Sequence, residues 1–330
     1  MAAITDVRDI SRIGYGFMAS RALFSALEAD VFGHLADGPK SLDALSGDTA
    51  IAARRLRPLL TACVALGLLA RDGDGYANAP ASATYLVRSS PAYFGDYFRF
   101  QVSRQIYPTL QHLDGALRGE RVDFYRQLDD PAEARAFTLA QHSGSLGPAH
   151  VVARLVDLAS ARRMLDVGGG SGAFSIVLSR RAPQLACTII DLPGVVAVGR
   201  ALVRDSGLGD RIQFMEGDAR EVSWPDGNDV VLMSYLLSAV AESSASALLD
   251  KAYKALRPGG RLLVHDFVAD DDQSGPPLAA LWLLNAVTID PDVPFITGAW
   301  LTGVARRAGF ADAAITAVVP GTTRLLTARR

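Results

Sequence analysis

Leu165-Asp166-Val167-Gly168-Gly169-Gly170-Ser171-Gly172 joins a short apolar run to a glycine bend. Arg163 to Val167 has the character of a buried strand, and the residues beyond Gly172 have the spacing of a helix. Glycines at 168, 170 and 172 let the backbone approach a ligand where a Cβ would clash, and the helix start offers unpaired N–H groups. Dinucleotide enzymes use a similar bend, and glycine-rich loops also occur as plain tight turns, so the surroundings must discriminate.

Working outward, Arg163 to Val167, Ala186 to Asp191, Arg211 to Glu216, Asn228 to Ser234 and Arg261 to Phe267 read as five buried strands alternating with helices. This predicts an α/β parallel sheet covered on both faces. Arg257-Pro258-Gly259-Gly260 is expected to stop a helix and start the fifth strand, with Ala313 to Val319 and Thr323 to Ala328 as an antiparallel closing pair. Three carboxylates fall at the ends of adjacent strands. Asp166 is placed to meet the cationic amino acid end of S-adenosylmethionine, where a pyrophosphate would be repelled. Asp191, followed by Leu192, is placed to accept both ribose hydroxyls, and Asp218, followed by Ala219, to accept from an adenine amino group. Each alone is more often a loop or cap residue; together they converge on one crevice.

Residues 11 to 36 carry apolar side chains at helical spacing and need a partner surface on several sides. Ser41 is a cap for Leu42 to Leu45, Ile51 to Leu69 reads as a longer helix, and Arg71 to Tyr76 surrounds the turn Asp72-Gly73-Asp74-Gly75, a winged-helix pattern. Arg54, Arg55 and Arg57 leave a DNA-reading module open, but a charge cluster is more often a solvated face, and subunit contact is the favoured reading. From Pro91 to His150 the pattern is helical and aromatic-rich, which usually means packing.

With 330 residues and a formal charge of -2, the chain has room for two cores and no global field toward nucleic acid. The two cysteines, Cys63 and Cys187, sit in apolar runs and imply neither a disulfide framework nor a metal site. The first twenty residues do not resemble a signal peptide, and no uncharged run is long enough to span a bilayer, so a cytoplasmic protein without membrane partners is expected.

On Leu165 to Gly172, Ile190 to Val195, Glu216 to Ala219, Leu256 to Leu263 and the N-terminal helices, residues 13 to 330 resemble the small-molecule O-methyltransferase superfamily of hydroxyindole, caffeic acid and bacterial polyketide methyltransferases. The resemblance implies a class I methyltransferase Rossmann-like sheet with an N-terminal helical winged-helix dimerisation domain. It also implies a homodimer and a pocket for a small aromatic, secondary-metabolite substrate between the domains. The expected organisation is a dimerisation domain over 1–100, a helical linker over 101–155 and a catalytic domain over 156–330. In that family Asp191 would hold the ribose, Asp218 and Ala219 the adenine, and Gly168 the methionine moiety; Asp166, Gly170, Leu192, Ser234 and Tyr235 complete the expected cofactor set.

The chain departs from the family at the base. The usual His-Asp-Trp triplet aligns with Ser238, Ala239 and Val240, and the usual Glu-Arg-Thr with Phe295, Ile296 and Thr297. A positioned base contributes roughly 10²- to 10⁴-fold, so its loss shifts the expectation slightly toward carbon or nitrogen acceptors over oxygen, with catalysis by proximity and orientation. The triad-free pattern is similar to the ring-carbon methyltransferase of bacteriochlorophyllide biosynthesis and to phenazine N-methylating members. His142, Tyr107 and Ser238 are the candidate catalytic residues, though His142 reads slightly more readily as a surface or capping histidine, and Tyr235 as a wall of the cofactor pocket. His265 reads as a satisfied core histidine. The run Asp270, Asp271 and Asp272 reads as a solvated loop, and no metal is expected. Two alternatives stay open: a relative that uses the bound cofactor without methyl transfer, and an S-adenosylmethionine-sensing DNA-binding regulator.

Overall fold

A computed structural model describes residues 3–122 and 124–330. The chain divides into two compact units, one ending at Gln105 and one spanning Ile106–Arg330.

In the first unit, β1 (Lys40–Ser41), β2 (Leu69–Asp72) and β3 (Gly75–Asn78) form an antiparallel sheet in the order β1-β3-β2. Gly73, at a φ of 54°, sits in the tight turn between β2 and β3, where a Cβ would be strained. Ser41 Oγ accepts from the Ala44 N–H at 3.2 Å and caps the helix Leu42–Thr49. The next helix is Ala53–Ala65, shorter than the sequence pattern because Gly67 turns left-handed and Leu69 has already entered β2. Phe32, Leu45, Leu56, Leu60 and Cys63 form the core of this winged helix. Residues 11 to 36 form no single helix: Val7–Gly14, Gly16–Glu28 and Val31–His34 are separated at Tyr15 and at Asp30, whose φ is 50°. Along the first two of these, Val7, Ile10, Ile13, Phe17 and Met18 are half or more exposed, an apolar stripe without cover inside the unit.

The second unit is a seven-stranded sheet. β4 (Arg163–Val167), β5 (Ala186–Asp191), β6 (Ile212–Glu216), β7 (Asn228–Ser234) and β8 (Leu256–Phe267) are parallel; β9 (Ala311–Val319) and β10 (Thr323–Arg329) close it antiparallel, in the order β6-β5-β4-β7-β8-β10-β9. β8 begins earlier than the glycine signal suggests. Leu256 pairs with Asn228 and Arg261 with Val230, so Arg257-Pro258-Gly259-Gly260 is taken up as a bulge inside the strand. Successive side chains alternate between faces. Leu165, Val167, Val231 and Met233 pack under the helices Glu242–Ala255 and Gly298–Arg307. On the other face Met164, Ile189, Val230 and Leu232 pack with the helices Pro131–Leu155 and Ala173–Arg181. Asp130 caps the 25-residue helix Pro131–Leu155 by accepting from the Ala132 and Glu133 N–H groups. Strand order reverses at β4, which places the crevice of this sheet beyond the carboxyl ends of β4 and its neighbours. Among the described residues no helix is long and apolar enough to cross a membrane.

Candidate functional site

The bend leaves β4 with Gly168, Gly170 and Gly172 at φ of 66°, 57° and 78°. A Cβ would stand 3.0 Å from Leu236 at Gly168, 2.6 Å from the Asp166 carboxyl carbon at Gly169, and 3.0 Å from Val203 at Gly172. At Gly170 it would meet nothing nearer than the Asp191 carboxylate at 4.0 Å. Three glycines therefore serve packing beneath the bend, while Gly170 borders open space that an added methyl would occupy.

Asp191 ties the tip of β5 to this bend. Its Oδ2 accepts the Gly170 N–H at 2.7 Å and its Oδ1 the Leu192 N–H at 2.8 Å. Burial pushes its carboxyl up to about 6, partly offset by those two donors. Tyr125, Leu128 and Phe137 pack with Leu192 and Val195 beside it. The Tyr125 phenol is pushed up by burial and further by the Asp191 charge.

Asp166 is fully buried beneath the bend. Ser175 Oγ donates to its Oδ2 at 2.7 Å, while Oδ1 has no partner among the described residues, and burial pushes the carboxyl up to about 7. Enclosed in this way, Asp166 exposes none of the surface that direct contact with an ammonium would require. Asp218 is held by Arg220, whose Nε donates to both carboxylate oxygens at 3.0 Å, which keeps the carboxyl below its ordinary range. Ala219 O accepts from Trp224 Nε1 at 2.9 Å and Lys251 Nζ at 2.7 Å, so the loop after β6 is firmly braced.

Ser234 Oγ lies 2.9 Å from His265 Nδ1, and His265 Nε2 2.9 Å from Thr323 Oγ1. With both ring nitrogens paired and burial pushing it down to about 3, His265 is a neutral, satisfied core histidine. The Tyr235 N–H donates to His265 O at 2.8 Å, and its φ of 56° is unusual for an aromatic residue. Its ring leans on His265 and Phe267, and Phe267 in turn stacks on Trp282 at 4.7 Å between centroids. An aromatic wall thus continues from the end of β8 to the helix Pro277–Ile289.

Of the candidate catalytic groups, His142 reaches the bend: its Nδ1 is 3.0 Å from Ser171 Oγ, and burial lowers its pKa. Tyr107 is half-buried in the turn Tyr107–Thr109, and the segment Leu110–Ala116 after it packs against Pro277–Ile289. Ser238 is not a free hydroxyl. Its Oγ donates to Asp266 Oδ1 at 2.6 Å and its N–H to Oδ2 at 3.1 Å.

Sequence reasoning missed Asp266, Ser171 and the buried Asn285, whose Oδ1 has no partner among the described residues. A charged residue in the strand-like run Leu262 to Phe267 was the available signal for Asp266, since a buried carboxylate needs donors. Asp270, Asp271 and Asp272 are spent separately, on Arg324, the Ala299 N–H and Ser274. No group of three metal-ligating side chains occurs among the described residues.

The unit fits a nucleoside-bearing donor: glycine-rich backbone faces open space at Gly170, with an acidic side chain at the tip of β5 and an unpartnered carboxylate oxygen below. Comparison with known proteins agrees with that chemistry. Residues 112–310 match the O-methyltransferase domain profile, and residues 12–88 the O-methyltransferase dimerisation domain. The chain is 33% identical over 317 residues to the tetracenomycin polyketide synthesis 8-O-methyltransferase TcmO of Streptomyces glaucescens, covering 94% of this chain and 93% of that protein. It is 29% identical to the N,N-dimethyltransferase OxyT of Streptomyces rimosus, covering 82% and 81%. The structure of human N-acetylserotonin methyltransferase in complex with S-adenosylmethionine superposes with a TM-score of 0.88 at 27% identity, covering 100% of this chain and 99% of that one.

Proposed function

Because the chain belongs to the O-methyltransferase family and uses S-adenosylmethionine, we propose that it methylates a hydroxyl group on a planar aromatic secondary metabolite. The observation that carries this is the Gly168–Gly172 bend fastened to Asp191 at the point where the sheet order reverses. When bound, the donor supplies an electrophilic methyl group on a sulfonium.

The residues then divide the work. Gly170 gives backbone access, Asp191 accepts from the ribose, Asp218 with Ala219 borders the adenine, and Tyr235 walls the cofactor side. The Tyr235, Phe267 and Trp282 rings supply flat apolar surface for the acceptor, as aromatic ligands prefer. Holding acceptor and methyl in line supplies about 7 to 11 kcal/mol of the barrier reduction. Ser238 and Phe295 at the positions of the family's base and its orienter favour carbon or nitrogen acceptors, and OxyT is named as an N,N-dimethyltransferase. Oxygen is preferred here because the buried carboxylate of Asp266, reached through Ser238, offers a place for a hydroxyl proton. The apolar stripe from Val7 to Met18 and the matched dimerisation domain support a homodimer.

Incubation with S-adenosylmethionine and a panel of hydroxynaphthalenes, read by mass spectrometry, tests the reading. The expected result is a gain of one methyl group on oxygen with formation of S-adenosylhomocysteine. A product with an intact donor, or a methyl on carbon or nitrogen alone, would overturn it.

A further inference from the structure

Asp266 stands next to last in β8 and is fully buried. Its Oδ1 accepts from Ser238 Oγ at 2.6 Å and from the Phe267 N–H at 2.8 Å, and its Oδ2 from the Ser238 N–H at 3.1 Å. Its ionisation is set by burial against these hydrogen bonds and a further backbone donor at Leu237, which leaves the carboxyl at about 6. Arg324, its register partner on β10, is spent on Asp270. His265, its neighbour on the strand, points to the opposite face and bonds Ser234 and Thr323. Glu242, at the start of the helix after the Ser238 turn, accepts from Trp300.

Ser238 lies in the turn Leu237–Ala239, separated from the end of β7 by two residues. Leu236, two residues earlier, abuts Gly168, where an added Cβ would be 3.0 Å away. The helix Pro277–Ile289, which carries Trp282, packs against the same turn. The Ser238 hydroxyl, its own hydrogen drawn to a buried carboxylate, thus belongs to a turn that follows the bend's neighbour Leu236 and packs against the helix that carries Trp282. It keeps lone pairs to accept with, and it is the side chain that bonds the enclosed carboxylate.

We propose that Ser238 and Asp266 form a proton relay for the acceptor, an inference that rests on the hydroxyl-methylation reading above. The acceptor hydroxyl donates to Ser238 Oγ, and Ser238 passes its own proton to Asp266 Oδ1. The acceptor oxygen forms its bond to the methyl carbon while the carbon–sulfur bond breaks, its electron pair staying on sulfur. The sulfonium charge and the carboxylate charge disappear together, leaving a neutral thioether and a neutral carboxylic acid. After the product leaves, Asp266 returns its proton through Ser238 to water. Ser238 is the catalytic residue in this scheme and Asp266 the proton store behind it.

The test compares wild type, Ser238→Ala and Asp266→Asn on a hydroxynaphthalene and on its dinitro analogue, whose hydroxyl is already ionised. The relay predicts a loss of roughly 10²- to 10⁴-fold in kcat on the ordinary hydroxyl in both variants, and less than about tenfold on the ionised one. S-adenosylhomocysteine affinity, measured by calorimetry, stays within about threefold of wild type, showing that the donor site is intact. In the infrared, a protonated-carboxyl band that titrates near the Asp266 value in wild type is lost in Asp266→Asn. Equal loss on both acceptors would assign the pair a purely structural role, and no loss on either would remove it from the reaction. Ser238→Ala removes one oxygen and serves if Asp266→Asn does not fold. If wild type methylates no hydroxynaphthalene, the hydroxyl-acceptor reading falls and takes the relay with it.

Discussion

The imidazole of His142 lies 3.0 Å from the Ser171 hydroxyl, so a side chain on the long helix Pro131–Leu155 grips the glycine bend from outside. Burial lowers the His142 pKa, so the ring is neutral at pH 7. Protonation would place a positive charge beside the expected site of a sulfonium.

Donor affinity is therefore expected to fall with pH. For donor binding the reference is the unliganded folded protein, so affinity holds while His142 is neutral and falls as pH drops through its lowered pKa, which lies below the free imidazole value of about 6.5. Asp191, at about 6, titrates in the same window, so the comparison must be with His142→Gln. Calorimetric titration with S-adenosylmethionine, which carries the sulfonium charge, between about pH 8 and about pH 5.5 should show a shallower slope in the variant. Parallel slopes would remove His142 from the donor site.

Gly170→Ala separates the bend's packing from its ligand. The new Cβ meets nothing nearer than 4.0 Å, and the left-handed backbone costs about 1–2 kcal/mol, a modest drop in melting temperature. Donor binding should weaken at least roughly tenfold, because the methyl occupies the space the nucleoside needs. A variant that melts lower yet binds S-adenosylhomocysteine as wild type would show that the ligand lies elsewhere.

Asp166→Asn should raise stability at alkaline pH. The carboxyl is at about 7 in the folded protein and about 3.9 in the unfolded chain, so its contribution is complete below the unfolded value and declines as pH rises through the folded one. Removing the ionisable group removes that decline, on the order of a few kcal/mol at pH 8. Thermal melts at about pH 4 and about pH 8 should show the variant gaining far more at the higher pH. A gain of the same size at both would assign the effect to packing.

Ile13→Asp places a charge in the stripe that Val7, Ile10, Phe17 and Met18 share. Burying an unpaired carboxylate in an interface is costly, so the dimer should dissociate while each winged helix keeps its core of Phe32, Leu45 and Leu60. Analytical ultracentrifugation should show a monomer with unchanged circular dichroism. A dimer as tight as wild type would move the interface away from this stripe.

Much of the second unit was legible locally. Runs of β-branched and apolar residues marked β4, β5 and β7 at their observed bounds, because a strand buried on both faces is apolar over most of its length. The bend was legible because Gly168, Gly170 and Gly172 all take left-handed backbone. The helix expected over residues 11–36 was not, because its breaks at Tyr15 and Asp30 come from non-glycine residues whose backbone angles no composition signal announces.

By itself the sequence determined the strand–glycine–helix grammar and the carboxylates that end three neighbouring strands, since periodicity and glycine content act within a few residues. The tertiary structure alone decided which polar groups meet. His142 and Ser171 are 29 residues apart, and Ser238 and Asp266 are 28 apart. Such pairs form only after strand order and register bring separate elements together, and burial then sets how strongly each group holds its proton.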